Sequence, residues 1–365
     1  MFNSNNIKYK FNHNIRKLQY IDGRSKGVSV IEINTGKGLV FEILPDRGLD
    51  IYRFSLYGQN LTYLVPGSPF SSSHYDSNGY GWLNTFNGGF LVTCGLRNAG
   101  EPCVENKFQY GLHGTISNTP ASEVKIDEIS TTSKNIISVS GKIIDPNISL
   151  GNLLLERRIE CAIGENIIKL NDSITNFSNF SQPIMLIYHF NFGYPLLSSS
   201  SFVGIPEGTT EPFDKYSKKM LPNVNQVREA SNKEKEYTFI HKPKTKKQKQ
   251  FFLITDSKNK PSMAIKIQYS GNKLPILGLN QIYKSNEYLL SIEPANNHIK
   301  GRVFEKNNGT LFFLEEGQKI SYQTEIEILI SKKTILYNFL DRTVVQFYLC
   351  LKNLALLLLH LHFLN

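Results

Sequence analysis

Short segments in which apolar and polar residues alternate recur along most of this chain, and they constrain its fold more than any other feature. The segments are rich in Ile, Val, Phe, Tyr and Thr, and Gly, Pro, Asn and Asp separate them. A period of two places successive side chains on opposite faces of a strand. Up to residue 330, no long stretch shows a helical period. The sequence therefore predicts an all-β chain of many antiparallel strands; clear examples are residues 28–34, 39–44, 136–144, 183–192, 263–269 and 320–329.

The length of 365 residues, 40% of them hydrophobic, allows one large β core. Alternation alone does not separate a sandwich from a barrel, but a chain of this length favours a large double sheet. We expect a single β domain over residues 1–330. Residues 331–365 form a separate apolar tail without Gly or Pro, for which we expect a C-terminal helix. Its uncharged runs are shorter than the roughly 18–20 residues of a membrane span, so no membrane partner is expected.

The net charge of +10 is concentrated in one segment, because residues 215–249 hold ten Lys and one Arg against three Glu. This distribution differs from a basic binding face spread over the molecule, so nucleic acid is not an expected partner. We interpret residues 215–250 as a long, exposed, Lys-rich loop. A binding site for a polyanion in this loop remains the alternative.

The motifs of several common protein classes are absent from the sequence. The four cysteines (Cys94, Cys103, Cys161, Cys350) include no C-x-x-C pair, which argues against a disulfide scaffold and a zinc knuckle. There is no P-loop and no dinucleotide fingerprint, so no cofactor or metal is predicted. The first residues, MFNSNNIKYKF, contain no apolar stretch of signal-peptide length, and we expect a cytoplasmic protein.

Three clusters combine Gly, His, Arg and aromatic residues in a way that a plain β core does not need. Residues 81–100 contain the only tryptophan, Trp82, and also Arg97, and His113 lies between Leu112 and Gly114. The third cluster ends an apolar strand. Alternation there places His189 and Asn191 on one face, opposite Tyr188, Phe190 and Phe192. Such a polar row predicts the lining of a site, with the aromatic row turned into the core.

A fourth candidate is Glu293, which ends an apolar strand before a Pro-Ala-Asn-Asn turn. Partial desolvation at such a position raises the pKa of a carboxyl group and makes it a usable base near neutral pH. Each candidate also has an ordinary structural interpretation. His189 can be a hydrogen-bonding core residue, His113 a turn residue, Arg97 the partner of a nearby acid, Trp82 part of the core and Glu293 a surface carboxylate.

Together, the clusters resemble the aldose 1-epimerase (galactose mutarotase-like) superfamily, and most closely its divergent, uncharacterised bacterial branch. The resemblance covers about residues 40 to 330. It is carried by the order of four motifs: G-x-R-N-A-G (95–100), L-H-G (112–114), Y-H-x-N-F-G (188–193) and a late strand that ends in E-P (293–294). The segments PDRGLDI (45–51), GGFLVTCGLRNAG (88–100), GLHGTISNTPA (111–121) and EPANNHIKGR (293–302) resemble the bacterial branch.

The resemblance implies an antiparallel β-supersandwich with a sugar site in a cleft on one sheet. It assigns Glu293 as the base that deprotonates the anomeric hydroxyl and His189 as the acid that protonates the ring oxygen. His113 and Arg97 would hold sugar oxygens, Asn191 would line the site, and Trp82 would offer a flat face to the pyranose ring. This chemistry needs no cofactor, because Glu and His supply the acid and the base.

The sequence departs from the better-known galactose mutarotases in two places. It has no clear counterpart of their Asp in residues 215–250, and it reads E-P at Glu293 where they read E-T-Q. The favoured interpretation is an enzyme that interconverts the anomers of a small-molecule sugar. The alternative is a non-catalytic carbohydrate-binding or sensing protein on the same fold, since a fold does not determine a function.

Overall fold

The computed structural model describes residues 13–330 and residue 335. Residues 13–330 form 22 strands that pair antiparallel, so the all-β prediction is confirmed. The first strands are β1 (Asn14–Gln19), β2 (Ser29–Asn34), β3 (Leu39–Leu44), β4 (Asp50–Leu56), β5 (Gln59–Asn60), β6 (Leu91–Leu96), β7 (Cys103–Glu105), β8 (Phe108–Tyr110), β9 (Ser122–Ser130), β10 (Asn135–Asn147) and β11 (Gly151–Ala162). The others are β12 (Ile167–Asn176), β13 (Gln182–Gly193), β14 (Phe202–Gly204), β15 (Gly208–Pro212), β16 (Glu236–Pro243), β17 (Lys249–Thr255), β18 (Ala264–Ser270), β19 (Ile276–Tyr283), β20 (Tyr288–Ala295), β21 (Phe312–Leu314) and β22 (Lys319–Leu329). Two short helices, α1 (Lys215–Lys218) and α2 (Arg302–Asn307), lie between strands.

Two large sheets form the body of the molecule. One has eight strands in the order β14-β17-β18-β22-β12-β11-β10-β9. The other has seven, in the order β15-β16-β19-β20-β13-β21, with β6 also paired to β13. A third sheet contains β1 to β5 in chain order. Apolar residues of all three sheets belong to one buried cluster, which makes this a sandwich rather than a barrel.

The core between the two large sheets is rich in aromatic side chains. Tyr188, Phe190 and Phe192 of β13 are fully buried, as alternation along this strand predicts. Phe190 and Phe192 both make edge-on contacts with Phe252 of β17, with ring centroids 6.0 and 6.3 Å apart. The opposite face of β13, which carries His189 and Asn191, is thereby directed away from this core.

The prediction of one long exposed loop over residues 215–250 is wrong. The segment contains α1, all of β16 and the start of β17, and its residues Phe239 and Gln250 are buried. The reason is that a few apolar residues suffice to bury one face of a strand while the lysines project outward. Lys242 and Lys244 lie near the end of β16 and pair with Glu211 and Glu207. The high Lys content hid this short apolar pattern in the sequence.

The predicted helical tail, residues 331–365, lies outside the described residues except for Ile335. Ile335 is fully buried beside Leu253, Ala264 and Leu329. No helix within residues 13–330 has the length and the apolar character that crossing a bilayer requires.

A buried ionic network joins the sheets. Arg157 of β11 is bonded to both carboxylate oxygens of Asp172, at 3.0 and 2.6 Å, and to Asp50 at 2.5 Å. Asp50 also accepts hydrogen bonds from the amide and hydroxyl of Thr93, and Asp172 accepts one from the hydroxyl of Tyr188 at 2.7 Å. Burial alone would lower the pKa of Arg157, but Asp172 and Asp50 raise it overall. The guanidinium therefore stays charged inside the core.

Removing one charge from this network should destabilise the fold strongly. We expect Asp172→Asn to lower the free energy of unfolding by about 3–5 kcal/mol, because Arg157 is left with an incompletely compensated buried charge. Urea denaturation monitored by circular dichroism measures the change. Glu165→Gln, which breaks the exposed pair with Lys134, is the matched control and should cost less than about 1 kcal/mol. A loss in Asp172→Asn as small as in the control would contradict the assigned role.

Candidate active site

The candidate site lies on the face of the seven-stranded sheet that is turned away from the main core. β13 and β20 pair with Phe190 opposite Ile292 and Ile187 opposite Ala295. His189 and Glu293 therefore lie side by side on this face. Glu293 is opposite Gly278 of β19, and Gly278 is opposite Ile240 of β16. A row across five strands results: Ile240, Gly278, Glu293, His189 and Val92.

The structure brings the two predicted catalytic side chains into direct contact. Nε2 of His189 lies 3.3 Å from Oε1 of Glu293. The hydroxyl of Ser291 donates to the same carboxylate oxygen at 2.8 Å. The two residues are only 6% and 3% exposed, so their charges interact with little screening by solvent. Within the described residues, Nδ1 of His189 has no hydrogen-bond partner.

Gly278 provides the space that Glu293 occupies. A Cβ atom at this position would lie 2.7 Å from Oε2 of Glu293 and 3.1 Å from its Cβ. These separations are too short for real side-chain contacts, so any larger residue would displace the carboxylate. Glycine at position 278 is therefore needed to leave room for the side chain of Glu293, and the strand conformation itself does not need it.

His113 lies next to the pair, with its ring centroid 5.8 Å from that of His189. Its backbone adopts a φ of +58°, and its Nδ1 accepts a hydrogen bond from the amide of Gly100 at 3.3 Å. Burial, and to a smaller extent the proximity of His189, lowers the pKa of His113 to about 3. The ring is therefore neutral near pH 7, and because Nδ1 is an acceptor, the proton is on Nε2.

Trp82 and Phe86 form an aromatic wall beside the histidines. Trp82 is 3% exposed, donates from Nε1 to the hydroxyl of Ser117 at 2.9 Å and lies 4.6 Å from the ring of His113. Phe86 stacks on Trp82 at 4.8 Å and contacts the edge of His189 at 5.6 Å. Trp82 thus does not present an open flat face as we expected. The partly exposed ring is that of Phe86, which the sequence analysis missed although it lies in the same glycine-rich segment.

The structure does not bring Arg97 together with the pair. Its guanidinium donates to the backbone oxygens of Leu150, Asp145 and Gly151 at 2.7–3.0 Å, and its Nε lies 3.2 Å from the carboxylate of Asp145. These contacts hold the turn between β10 and β11. Both terminal nitrogens of Arg97 therefore donate to the backbone, and its Nε lies at ion-pair distance from Asp145, so the side chain serves as a structural clamp rather than as a ligand for sugar oxygens.

Asn191 follows His189 on the same face, as alternation predicts, but its amide group is engaged with the backbone. Its Nδ2 donates to the backbone oxygens of Gly89 and His189 at 2.8 and 3.1 Å. The residue is fully buried. Asn191 thus fixes the local path of β13 and contributes little open surface to a ligand.

The rows on either side of the pair differ in polarity. One row is apolar and contains Ile276, Ala295, Ile187 and Cys94. The other is polar and contains Thr238, Asn280, Ser291 and Asn191. Thr238 and Asn280 were not predicted from the sequence, because only the strand register shows that they neighbour the pair. Ser291 lies two residues before Glu293 on β20, so alternation already places it on the same face. A floor that is apolar on one side and polar on the other matches the two kinds of surface that a sugar presents.

The largest cavity described, of about 670 Å³, is not lined by the pair. It lies along residues 201–210 and 221–226 and includes His241. Both ring nitrogens of His241 are engaged, with the hydroxyl of Thr210 at 2.9 Å and the backbone oxygen of Pro206 at 3.0 Å. Among the described residues, no three His, Cys, Asp or Glu side chains converge as a metal site would require.

Comparison with solved structures defines the class of fold. A "putative aldose 1-epimerase" from Klebsiella pneumoniae is 22% identical with a TM-score of 0.85, covering 92% of this chain and 88% of that chain. A "galactose mutarotase-like protein" from Clostridium acetobutylicum is 14% identical with a TM-score of 0.62, covering 87% and 99%. A galactose 1-epimerase from Lactobacillus acidophilus is 15% identical with a TM-score of 0.56, covering 87% and 99%. This chain has the galactose mutarotase-like fold.

Sequence comparison then identifies the family. Residues 25–328 match the family described as "Domain of unknown function (DUF4432)", and the chain belongs to it. None of the curated protein sequences matches the chain. At these identities, the structural likeness shows the fold alone, and a function must be argued from the site itself.

The buried histidines should make the protein less stable in acid. Burial lowers the pKa of His113 to about 3 and that of His241 to about 4, from the ordinary value of 6.5. Between about pH 6.5 and these values, the unfolded chain binds protons that the folded chain does not, so stability is lost as the pH falls. We expect His113→Asn, which tolerates the positive φ, to lose roughly 2 kcal/mol less than wild type between about pH 7 and pH 5.

Urea denaturation at the two pH values measures this difference. His241→Gln is the companion variant, and because the two histidines make no contact with each other, the double variant should combine the two effects. An identical pH dependence in wild type and His113→Asn would show that His113 is not held neutral by the fold.

Proposed function

We propose that this protein is an aldose 1-epimerase-like isomerase that interconverts sugar anomers by acid/base ring opening. The observation that carries the proposal is the buried contact between His189 and Glu293, which lies on the face of the seven-stranded sheet turned away from the main core. A donor and an acceptor of protons held at one place are what ring opening requires. The neutral His113 beside them supplies a third polar group.

The proposed reaction begins with Glu293 ionised and His189 protonated. Glu293 takes the proton of the anomeric hydroxyl while His189 gives its proton to the ring oxygen, and the bond between C1 and the ring oxygen breaks. The open-chain aldehyde rotates about the bond between C1 and C2. The ring then closes on the other face of the carbonyl, and both protons return to the groups from which they came. The sum of the charges on the pair is zero throughout, which suits a site with little solvent.

The geometry distinguishes the roles of the two histidines. His113 is neutral and its Nδ1 accepts from Gly100, so it offers a hydrogen bond from Nε2 but no readily transferred proton. It is suited to hold a sugar oxygen in place. Nε2 of His189 lies 3.3 Å from the carboxylate of Glu293, so the proposed acid and the proposed base are held together. His189 is therefore the acid of the proposed mechanism.

The surroundings of the pair fit a pyranose ring. The partly exposed ring of Phe86 can cover an apolar face of the sugar, and the hydroxyl of Thr238 in the polar row can bond to a sugar hydroxyl. Cytoplasmic location and the absence of a cofactor remain expectations from the sequence.

A second candidate function is sugar binding without catalysis. It is favoured by the direct contact of His189 with Glu293, because a ligand that only binds above this pair would leave the contact intact. In the proposed reaction, by contrast, the anomeric carbon and the ring oxygen must reach both groups. Catalysis therefore separates the two candidates.

The rate of anomer interconversion tests the proposal. Freshly dissolved α-anomers of several aldoses are followed by polarimetry or NMR, and wild type should accelerate the approach to equilibrium. We expect His189→Ala and Glu293→Gln each to lower kcat by about 10²–10⁴-fold, the usual contribution of a general acid or base. His74→Ala and Glu316→Gln change exposed residues of the same types and should retain wild-type rates.

The outcomes separate the two candidate functions. Sugar binding in wild type without any acceleration would favour the binding protein. Acceleration that survives in both His189→Ala and Glu293→Gln would refute the assigned mechanism while leaving the fold in place.

The space beside Glu293 gives an independent prediction. Gly278→Ala places a methyl group where the carboxylate now lies, so we expect kcat to fall at least about tenfold while the fold is retained. Gly58→Ala is the control, because its Cβ would meet no atom within 4 Å, although the positive φ at this position costs some stability. Gly271→Ala is less suitable, because its Cβ would also meet a neighbour. Wild-type kcat in a folded Gly278→Ala variant would argue against a catalytic Glu293.

A further inference from the structure

Lys300 lies beside the segment that holds His113. It forms an isolated antiparallel bridge with Gly100. The amide of Gly100 donates to Nδ1 of His113, and the amide of His113 donates to the backbone oxygen of Gly100 at 2.9 Å. A single residue therefore separates the backbone of Lys300 from the histidine of the candidate site.

The ammonium group of Lys300 lies between two aromatic rings. Nζ is 5.3 Å from the ring centroid of Phe213 and 5.2 Å from that of Phe304. Phe213 packs against the buried apolar cluster that includes Ile240 and Ile276 of the cleft face. Through Phe213, the ammonium group of Lys300 therefore neighbours the apolar cluster that includes Ile240 and Ile276.

The neighbouring cations have carboxylate partners, and Lys300 differs from them. Arg302 and Lys306 both pair with Glu105, at 2.7 and 2.5 Å, and His298 pairs with Glu305 at 3.1 Å. Among the described residues, no carboxylate lies within ion-pair distance of Lys300. An ammonium group that is flanked by aromatic rings and lacks an acidic partner attracts an external anion.

The backbone around Lys300 is held in a strained conformation. Ile299 has a φ of +57°, which β-branched residues rarely adopt. Its amide donates to the side chain of Asn297 at 3.0 Å, and its carbonyl accepts from the amide of Glu101 at 3.3 Å. Asn297 is bonded in turn to the backbone oxygen of Leu186. Such strain persists only where the surroundings fix the backbone, so the path of the chain into Lys300 is held in place.

We propose that Lys300 binds an anionic group on the substrate, so that the preferred sugar is an acidic aldose. The proposal rests on the proposed function and deepens it by naming the substrate class. A phosphate ester and a carboxylate, each at the carbon farthest from the anomeric centre, share the required chemistry. The group would meet Lys300 while the anomeric carbon meets His189 and Glu293.

The experiment compares neutral and acidic sugars on wild type and on two variants. The sugars are galactose, glucose, glucose 6-phosphate and galacturonate, and the uncatalysed rate of each is subtracted. We expect wild type to show a kcat/KM at least about tenfold higher for one of the acidic sugars than for its neutral counterpart. Lys300→Met should abolish this preference and leave the neutral sugars unchanged, and Lys300→Arg should restore most of it. Which of the two acidic sugars is preferred identifies the anionic group.

Lys306→Met is the matched control, because it removes a lysine of the same region that is paired with Glu105. It should retain the preference for acidic sugars. Equal kcat/KM for neutral and acidic sugars in wild type would overturn the proposal, as would an equal loss for both classes in Lys300→Met.

Binding separates this proposal from the proposed function. If no sugar is converted, thermal shifts with glucose 6-phosphate and galacturonate at low and high salt still report on the subsite. If the rise in Tm is sensitive to salt and is lost in Lys300→Met, the anion subsite is supported. Only the catalytic part of the proposed function is then contradicted. No rise with either acidic sugar overturns the subsite as well.

Discussion

The contact of Arg157 with Asp172 and Asp50 is the interaction on which the site depends most directly. It joins β11 to β12 and to the start of β4 inside the core. Asp172 also holds the hydroxyl of Tyr188, which directly precedes His189, while Asp50 holds Thr93, which directly follows Val92. Because successive residues of a strand point to opposite faces, fixing Tyr188 and Thr93 on the inner face fixes His189 and Val92 on the outer face. A buried ionic network is a poor source of stability by itself, but here it sets the position of the strand that carries His189.

A second arginine, Arg47 of the PDRGLDI motif, fixes the position of the aromatic wall formed by Trp82 and Phe86. Arg47 is buried and donates to the backbone oxygens of Phe70, Thr85 and Ser117 at 2.6–2.9 Å. Ser117 in turn accepts the indole hydrogen of Trp82. Asp50 of the same motif belongs to the Arg157 network. The motif that marks the family resemblance in the sequence therefore contributes no side chain to the floor of the cleft, and instead connects the wall of the cleft to the core.

The sequence was sufficient for the class of fold and for the central pair, but not for the rest of the site. His189 and Glu293 could be found because alternation assigns the face of a strand and the motifs assign their order. Thr238 and Asn280 could not, since their proximity to the pair depends on a register between strands that are far apart in sequence. Phe86 could not either, because it directly follows the helical turn Gly81–Thr85, and alternation along strands does not predict how such a segment packs. Arg97 was misplaced because a motif gives the type of residue but not the direction of a long side chain. The β16 strand was missed because lysines dominate the composition of the segment around it, residues 215–250.

The polarity of the cleft floor connects these observations to the chemistry. The apolar row of Ile276, Ala295 and Ile187 lies on one side of the pair and keeps water from that side, which strengthens the attraction between His189 and Glu293. On the other side, Ser291 supplies a hydrogen bond that supports the charge on Glu293. A proton can then pass to and from the pair without creating an unsupported charge. Because the same sheet face carries the apolar row, the row of the pair and the polar row side by side, His189 and Glu293 lie at the boundary between the apolar and the polar part of this face.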